Sequence, residues 1–385
     1  MEIKDRDINW IRGALQTAIA LENCTIPIYC SAMYSLEVQN YPVYNILRSV
    51  VMEEMLHMAA AANMVAALGD RPRIRELDAV GELRRGLPGN IAPGLRARCA
   101  NLSRSQLDAF MRIEAPESLV PEASSKTSYG GRSYPTIGAF YEEIKQAIFD
   151  NADAIRQIAR GPMKSNQVGG NLGYACIDPT SGVDVIEQFI GSIELIQDQG
   201  EGADTTRMSG EESGDELSHY ARFAELKFGR RYEGPLNRDK DSVDISESQR
   251  RYYTGEEITW PTVINTLAVP NDGYEAILKI DANREEVSDS LRKFDENYTR
   301  MMVALDDCWN GPVSEAWPNL GKAVYEMNEL RVVSCFEILR HQVPVEAIQQ
   351  LERLYPIEFA ELAALTDLTK PVFYGPRFIN RETIS

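Results

Sequence analysis

Two of the three histidines in this 385-residue chain close the same local pattern, Glu54-Met-Leu-His57 and Glu216-Leu-Ser-His219. On a helix, residues i and i+3 share a face, so each pair presents a carboxylate oxygen and an imidazole nitrogen to one point in space. The pattern therefore asks for a fold that brings two such helices together. The surrounding apolar periodicity supplies them. Ile11, Leu15, Ala18, Glu22, Thr25 and Tyr29 recur on one stripe and predict a helix over 9–36, with Pro27 as a point of kinking. Leu47, Val51, Glu54, Met58, Ala61, Val65 and Leu68 predict a second over 44–68, stopped by Gly69. The short Asn40-Tyr41-Pro42 connection makes these two antiparallel, which is half of a bundle.

From Asp70 to Pro135 the chain is rich in Gly, Pro and Arg, with one short helix expected near Ser105 to Ile113. Thr136 is a plausible N-cap for a helix over Ile137 to Ala159, and a glycine-rich loop runs from Gly161 to Gly182. Val183 to Gly200 and Glu211 to Phe228 read as another helical pair. Residues 230–285 carry turn-like and strand-like pieces. Asn283 to Trp309 and Val313 to His341 read as two long helices, followed by an irregular tail. The expected fold is mainly α. It divides into a metal-binding bundle over 1–230, with a lid insertion at about 70–182, and an extension over 231–385 whose two long helices pack on the bundle.

Each partner helix adds inward glutamates: Glu22 on the first, and Glu187, Glu194 and Glu201 at seven-residue spacing on the third. One Glu from each of two helices and a Glu-x-x-His from each of two others is the ligand set of a dinuclear carboxylate bundle. Counting from the first loop places Glu22 opposite a point between Glu54 and His57. Counting from the second prefers Glu194 to Glu201. Each uncompensated buried ion costs several kcal/mol, against a total stability of ~5–15 kcal/mol, so four inward glutamates call for cations. Two divalent ions balance four carboxylates. Mixed oxygen and imidazole donors suit iron or manganese, and the six scattered cysteines bring no converging thiolates that would select zinc. The competing reading, exposed residues making contacts along one helix, leaves the coincidence of two pairs unexplained.

Composition excludes other classes. With 40 Lys and Arg against 58 Asp and Glu, the net charge of −18 repels nucleic acid and anionic membrane surfaces. No apolar run reaches the ~20 residues of a membrane span. Residues Met1 to Asp7 lack a secretory leader, and the cysteines read as reduced core thiols, so a cytoplasmic protein is expected. Glu53 and Asp198 are suited to accept from the outer nitrogen of a metal-bound imidazole, and equally to ordinary helix surface. Tyr29, Tyr34 and Tyr220 are read as core packing.

The stretches Ala18-Ile-Ala-Leu-Glu22 with Ile26-Pro27, Glu53-Glu-Met-Leu-His57, Leu87-Pro-Gly89, Thr136-Ile-Gly-Ala-Phe-Tyr141, Gln199-Gly-Glu-Gly202, Ser218-His-Tyr-Ala-Arg-Phe223 and Tyr374-Gly-Pro-Arg-Phe378 together resemble the ferritin-like superfamily. More narrowly they resemble its family of iminophenylpyruvate dimer synthases and violacein-biosynthesis domains. The resemblance runs nearly the full chain. It implies a ferritin-like four-helix bundle with long insertions and additional C-terminal helices, and it ranks Glu201 ahead of Glu194 as the third-helix ligand. The expected metal ligands are Glu22, Glu54, His57, Glu201, Glu216 and His219, with Glu194 as the alternative to Glu201.

A storage ferritin needs little more than one bundle, roughly 150–180 residues at ordinary domain size. More than half of this chain is other material, of the kind that builds lids and substrate pockets. The expected function is a dinuclear iron oxidase or oxygenase that uses O2 on a small organic substrate, with manganese as the other fitting metal; the resemblance implies a role in specialised metabolism and makes amino-acid-derived molecules one candidate substrate class. Rival readings are imine or radical coupling of the dimer synthase type, a manganese catalase, and a non-catalytic iron-binding protein. Self-association into a homo-oligomer is left open.

Overall fold

The computed structural model describes residues 6–37, 42–116, 132–169, 176–200, 217–233 and 252–383. The chain is mainly α: among the described residues there are helices and isolated bridges but no strand. Helix α1 spans Ile8–Tyr34, started by the Asp7 side chain, which accepts from the backbone N–H groups of Asn9 and Trp10. Its first turns bury only one stripe, yet every residue from Leu21 to Tyr34 is buried. A helix covered on all sides lies at the centre of its fold. Helix α2 spans Pro42–Ala67, with proline at its first position, and Gly69 ends it at φ +70°. The two run antiparallel, with Arg12 near the start of α1 donating to the carbonyl of Leu68 at 2.6 and 3.1 Å.

Four short helices follow the first pair or complete the site: α3 (Ala79–Arg85), α4 (Arg104–Ile113), α5 (Ile137–Asp150) and α6 (Ala152–Ala159). The helix expected over 137–159 is two helices, because Asn151 leaves helical geometry at φ −114° and ψ 19°. Its side chain instead donates to the carbonyls of Arg6 and Ala147, both at 2.8 Å. Helix α7 spans Val185–Gly200 and α8 spans His219–Phe228. Contacts run α1 to α2 to α7 to α5 and back to α1, so α5, in the stretch read as insertion, is a fourth wall of the bundle. Helices α4 and α8 pack on each other beside it.

Among the described residues, 252–283 hold only isolated bridges and one short helix, α9 (Glu275–Leu278). Helices α10 (Arg284–Asn310) and α11 (Ala316–Phe336) form a hairpin flanked by 3-10 turns at Val313–Glu315 and Ile338–Arg340, so the expected helix over 313–341 is shorter than its apolar pattern. The hairpin is tied to the end of α2 and the segment after it. The Trp309 indole donates to Asn63 at 2.9 Å, and Asp306 accepts from the backbone of Ile74 and Arg75 at 3.1 Å. The tail is not irregular: α12 (Val345–Leu354) and α13 (Pro356–Ala363) form in it, each begun by a proline at or just before its first position. Among the described residues, no helix is long and apolar enough to cross a membrane.

Candidate metal centre

Glu22 and Glu54 both occupy the middle of their helices, and both are buried on the stripe that also carries Leu15, Ala18, Leu47 and Val51. A carboxylate placed on an apolar stripe is carried into the core with it. The structure brings Glu22, Glu54, His57 and His219 into one buried cluster. Two groups of three emerge. Glu22, Glu54 and His57 offer donor atoms within 4.8 Å of one another, and so do Glu54, Glu114 and His219. Glu54 belongs to both.

Glu114 was missed by sequence reasoning. It caps the C-terminus of α4, in a stretch read as irregular, and no histidine pattern marks it. A signal was present, because Glu114 continues the stripe of Leu107 and Phe110 at four-residue spacing, as Glu22 continues Ala18. Aromatic packing sets its position. The rings of Tyr29 on α1, Phe110 on α4 and Phe223 on α8 lie 4.6 to 5.1 Å apart, and the Tyr29 hydroxyl donates to Glu114 at 2.5 Å. Tyr29 is thus both core packing and a carboxylate partner. Tyr141 on α5 plays the same part at the other side, donating to Glu22 at 2.5 Å. Thr25 donates to Glu54 at 2.9 Å.

Both imidazoles are oriented by their outer nitrogens. His57 Nε2 lies 2.8 Å from the side-chain oxygen of Gln199, and His219 Nε2 lies 3.0 Å from Glu53. Each Nε2–H therefore donates outward, and the Nδ1 atoms face the carboxylates. His57 Nδ1 is 3.8 Å from Glu22, while His219 Nδ1 is 2.8 Å from Glu54 and 3.8 Å from Glu114. The two rings stack at 5.4 Å. Glu53 is itself held by Arg222 at 2.7 Å, whose Nε donates to the carbonyl of Leu217 at 2.7 Å.

The cluster balances its own charge with protons. Burial, with the charges of Glu114 and Glu22, pushes the Glu54 carboxyl up to about 8 against the pull of His219. Burial also opposes ionisation of Glu22, but His57 and Tyr141 outweigh it and hold that carboxyl below its usual range. For His219, burial is overcome by Glu114, Glu53 and Glu54, which raise the imidazole well above its ordinary value, and for His57 by Glu22 and Glu54. Glu53 is lowered to about 2 by His219 and Arg222 in spite of burial.

One atom stands out. His219 Nδ1 is buried and makes no hydrogen bond of acceptable geometry, although Glu54 Oε1 is 2.8 Å away. Once His219 gives up the proton that the carboxylates hold on it, this nitrogen turns a free lone pair toward Glu54 and Glu114, which is what a metal ligand needs. Cys24 lies nearby, and burial with the charges of Glu22 and Glu54 raises its thiol well above the ordinary value; it belongs to neither group of donors.

Two expected ligands, Glu201 and Glu216, lie outside the described residues. Among the described residues α8 begins at His219. Ser218 is its N-cap in extended conformation, φ −60° and ψ 162°, with a side chain that accepts from Ala221. The start expected at Glu211 likewise falls outside the described residues. Glu194 is on the outer side of α7, half exposed and 3.5 Å from Lys145, and is in neither group. The end of α7 does approach the centre, since a Cβ on Gly200 would meet Glu114 Oε2 at 3.4 Å.

A family model described as ferritin-like matches residues 15–228, a span that takes in every residue of both groups. A crystal structure of a ferritin-like protein from Caulobacter vibrioides is similar with a TM-score of 0.50 and 18% identity, over 85% of this chain and 96% of that one. At that identity the likeness speaks for the fold. No curated protein matches the chain.

Proposed function

The chain belongs to the ferritin-like family, and on that premise we propose that its buried cluster holds two iron ions and serves an O2-dependent oxidase or oxygenase of a small organic substrate. The observation that carries the reading is the pair of donor groups sharing Glu54, with both Nδ1 atoms turned inward. Glu22 and His57 would hold one ion, Glu114 and His219 the other, and Glu54 both. Three inner carboxylates against two divalent ions leave one positive charge, room for one more anionic ligand. Glu201 is the preferred candidate, because it follows Gly200, the last residue of α7, at the edge of the centre; Glu216, just before Leu217, is the other. Glu194, turned toward Lys145, is set aside.

Carboxylate and imidazole donors without thiolate suit iron, with manganese next. The metal pair would supply the reduction of O2 and oxidation of the substrate. The chain's own residues have separate tasks. Tyr29 and Tyr141 fix the orientation of Glu114 and Glu22 by donating to them, and Gln199 and Glu53 fix the imidazole rings. Burial of all five donors keeps bulk water away. The resemblance to iminophenylpyruvate dimer synthases makes amino-acid-derived molecules the first substrates to try.

The test is metal analysis of the purified chain, followed by O2 uptake of the reduced protein with candidate substrates. Iron near two per chain and substrate-dependent O2 consumption support the proposal. Manganese with O2 release from peroxide would identify a catalase, and metal without turnover a binding protein.

A further inference from the structure

Far from the metal centre, where α1 ends, an open groove of about 990 Å³ lies between α11 and the segments 263–265 and 370–373. Tyr34, at its edge, is twelve residues past Glu22 on α1, or ~18 Å along the axis. The floor is built of Leu36, Val263, Leu339 and Phe373. Its main chain is already paired: Leu36 bridges Val263, Phe373 bridges Thr266 and Gln342, and Ile264 donates to Ser35 at 2.8 Å. What the floor presents is therefore apolar side chain on a braced backbone.

The rim is cationic in a chain that carries 18 excess negative charges. Arg331, Arg340 and Lys370 line it, against one carboxylate, Glu37. Lys370 is held 3.0 Å from Asp367, which leaves the two guanidinium groups as the main anion donors. Among the described residues Arg331 is positioned by a bond to the Tyr44 hydroxyl at 3.1 Å, and a guanidinium has five N–H groups to offer. Arg340 lies over the ring of Phe336, 5.8 Å from its centroid, and that ring is 62% exposed. An exposed aromatic face beside two planar forks matches a flat apolar body carrying a carboxylate.

We infer that this groove is a second ligand site, which takes an aromatic organic carboxylate independently of the metal centre. The volume is within the range of pockets that bury such molecules. Neither inorganic phosphate, which lacks the apolar body, nor an uncharged aromatic amide satisfies both halves of the site.

Calorimetric titration of the full chain with naphthalene-2-carboxylate, naphthalene-2-carboxamide and inorganic phosphate tests this. Saturable binding of the carboxylate, with the amide and phosphate at least about tenfold weaker, is expected. Arg331→Gln with Arg340→Gln weakens the carboxylate by about tenfold or more, and Phe336→Ser weakens it as well; circular dichroism stays unchanged because these side chains are exposed. His57→Ala with His219→Ala leaves the affinity intact. No binding of the carboxylate, equal binding of the amide, indifference to the double arginine change, or loss with the histidine change would each overturn the inference. The last would place the molecule at the metal centre and leave the metal proposal standing.

Discussion

Glu114 Oε2 lies 3.8 Å from His219 Nδ1, although the first caps a short helix in the middle of the ferritin-like region and the second opens a helix at its end. Their meeting depends on Tyr29, Phe110 and Phe223, which pack α1, α4 and α8 together. Glu114→Ala removes a terminal donor from one group and leaves Glu22, Glu54 and His57 untouched. Iron content, measured by plasma mass spectrometry after anaerobic loading, is expected to fall from two to about one per chain. Two tightly held ions in this variant would remove Glu114 from the ligand set.

Replacing both His57 and His219 by Ala deletes both inward nitrogens, and metal binding should be lost. Each single change should halve the stoichiometry, since each imidazole serves a different group of donors. A double variant that still holds two ions would refute the assignment.

Metal uptake must release protons, because Glu54, His57 and His219 all hold theirs more tightly in the folded chain than in a free peptide. The observed affinity should rise with pH toward about 8, where Glu54 gives up its proton. Calorimetry in buffers of different ionisation enthalpy reads the proton count directly. A flat affinity between pH 6 and 8 would contradict it.

The metal-free chain has the opposite dependence. A group whose folded pKa is raised binds more protons in the native state, so stability is full below the unfolded value and is lost as pH rises through the folded one. For Glu54 that window is about 4.5 to 8, and the two histidines act in the same direction. Glu53 and Glu22 are lowered and lose their contribution only on acidification, for Glu53 down to about 2. Denaturant midpoints of chelated protein should therefore fall from pH 5 to pH 8, and added metal should reverse the trend.

Away from the centre, Arg377 on the C-terminal segment donates to Asp295 of α10 at 2.7 Å, and both are buried. Asp295→Ala leaves the buried guanidinium with only the carbonyl of Gly273 and the more distant, exposed Glu275, and should cost about 3 kcal/mol in chemical denaturation. Asp295→Leu combined with Arg377→Met should recover most of that loss. An unchanged midpoint in the single variant would show that the pair does not anchor the segment.

Local pattern made much of the molecule legible. The spacing of Leu15, Ala18 and Glu22, and of Val51, Glu54 and Met58, specifies which face of each helix is buried, and that information is wholly contained in the helical repeat. The histidines were legible because only three occur, and Glu53 because a ligand imidazole needs an acceptor for its other nitrogen. Periodicity failed at boundaries. Asn151 breaks a continuous apolar pattern by turning its side chain onto backbone carbonyls, and Ser218 caps α8 at His219. Both boundaries are settled by side-chain bonds to the backbone, which the helical repeat of apolar residues does not encode. The apolar face of α12, where Ala347 and Leu351 are buried, was legible and overlooked.

The sequence alone determined a helical chain with carboxylates carried into its interior, because a side chain on a buried stripe has no route to water. Only the tertiary structure decided which of those carboxylates meet. Glu114, Tyr29 and Tyr141 enter the centre through contacts between distant segments, and Glu194 leaves it through the rotation of α7. The repeat of a single helix defines its inward face, whereas the register and rotation of one helix against another depend on the side chains packed between them, as with the Tyr29, Phe110 and Phe223 rings between α1, α4 and α8.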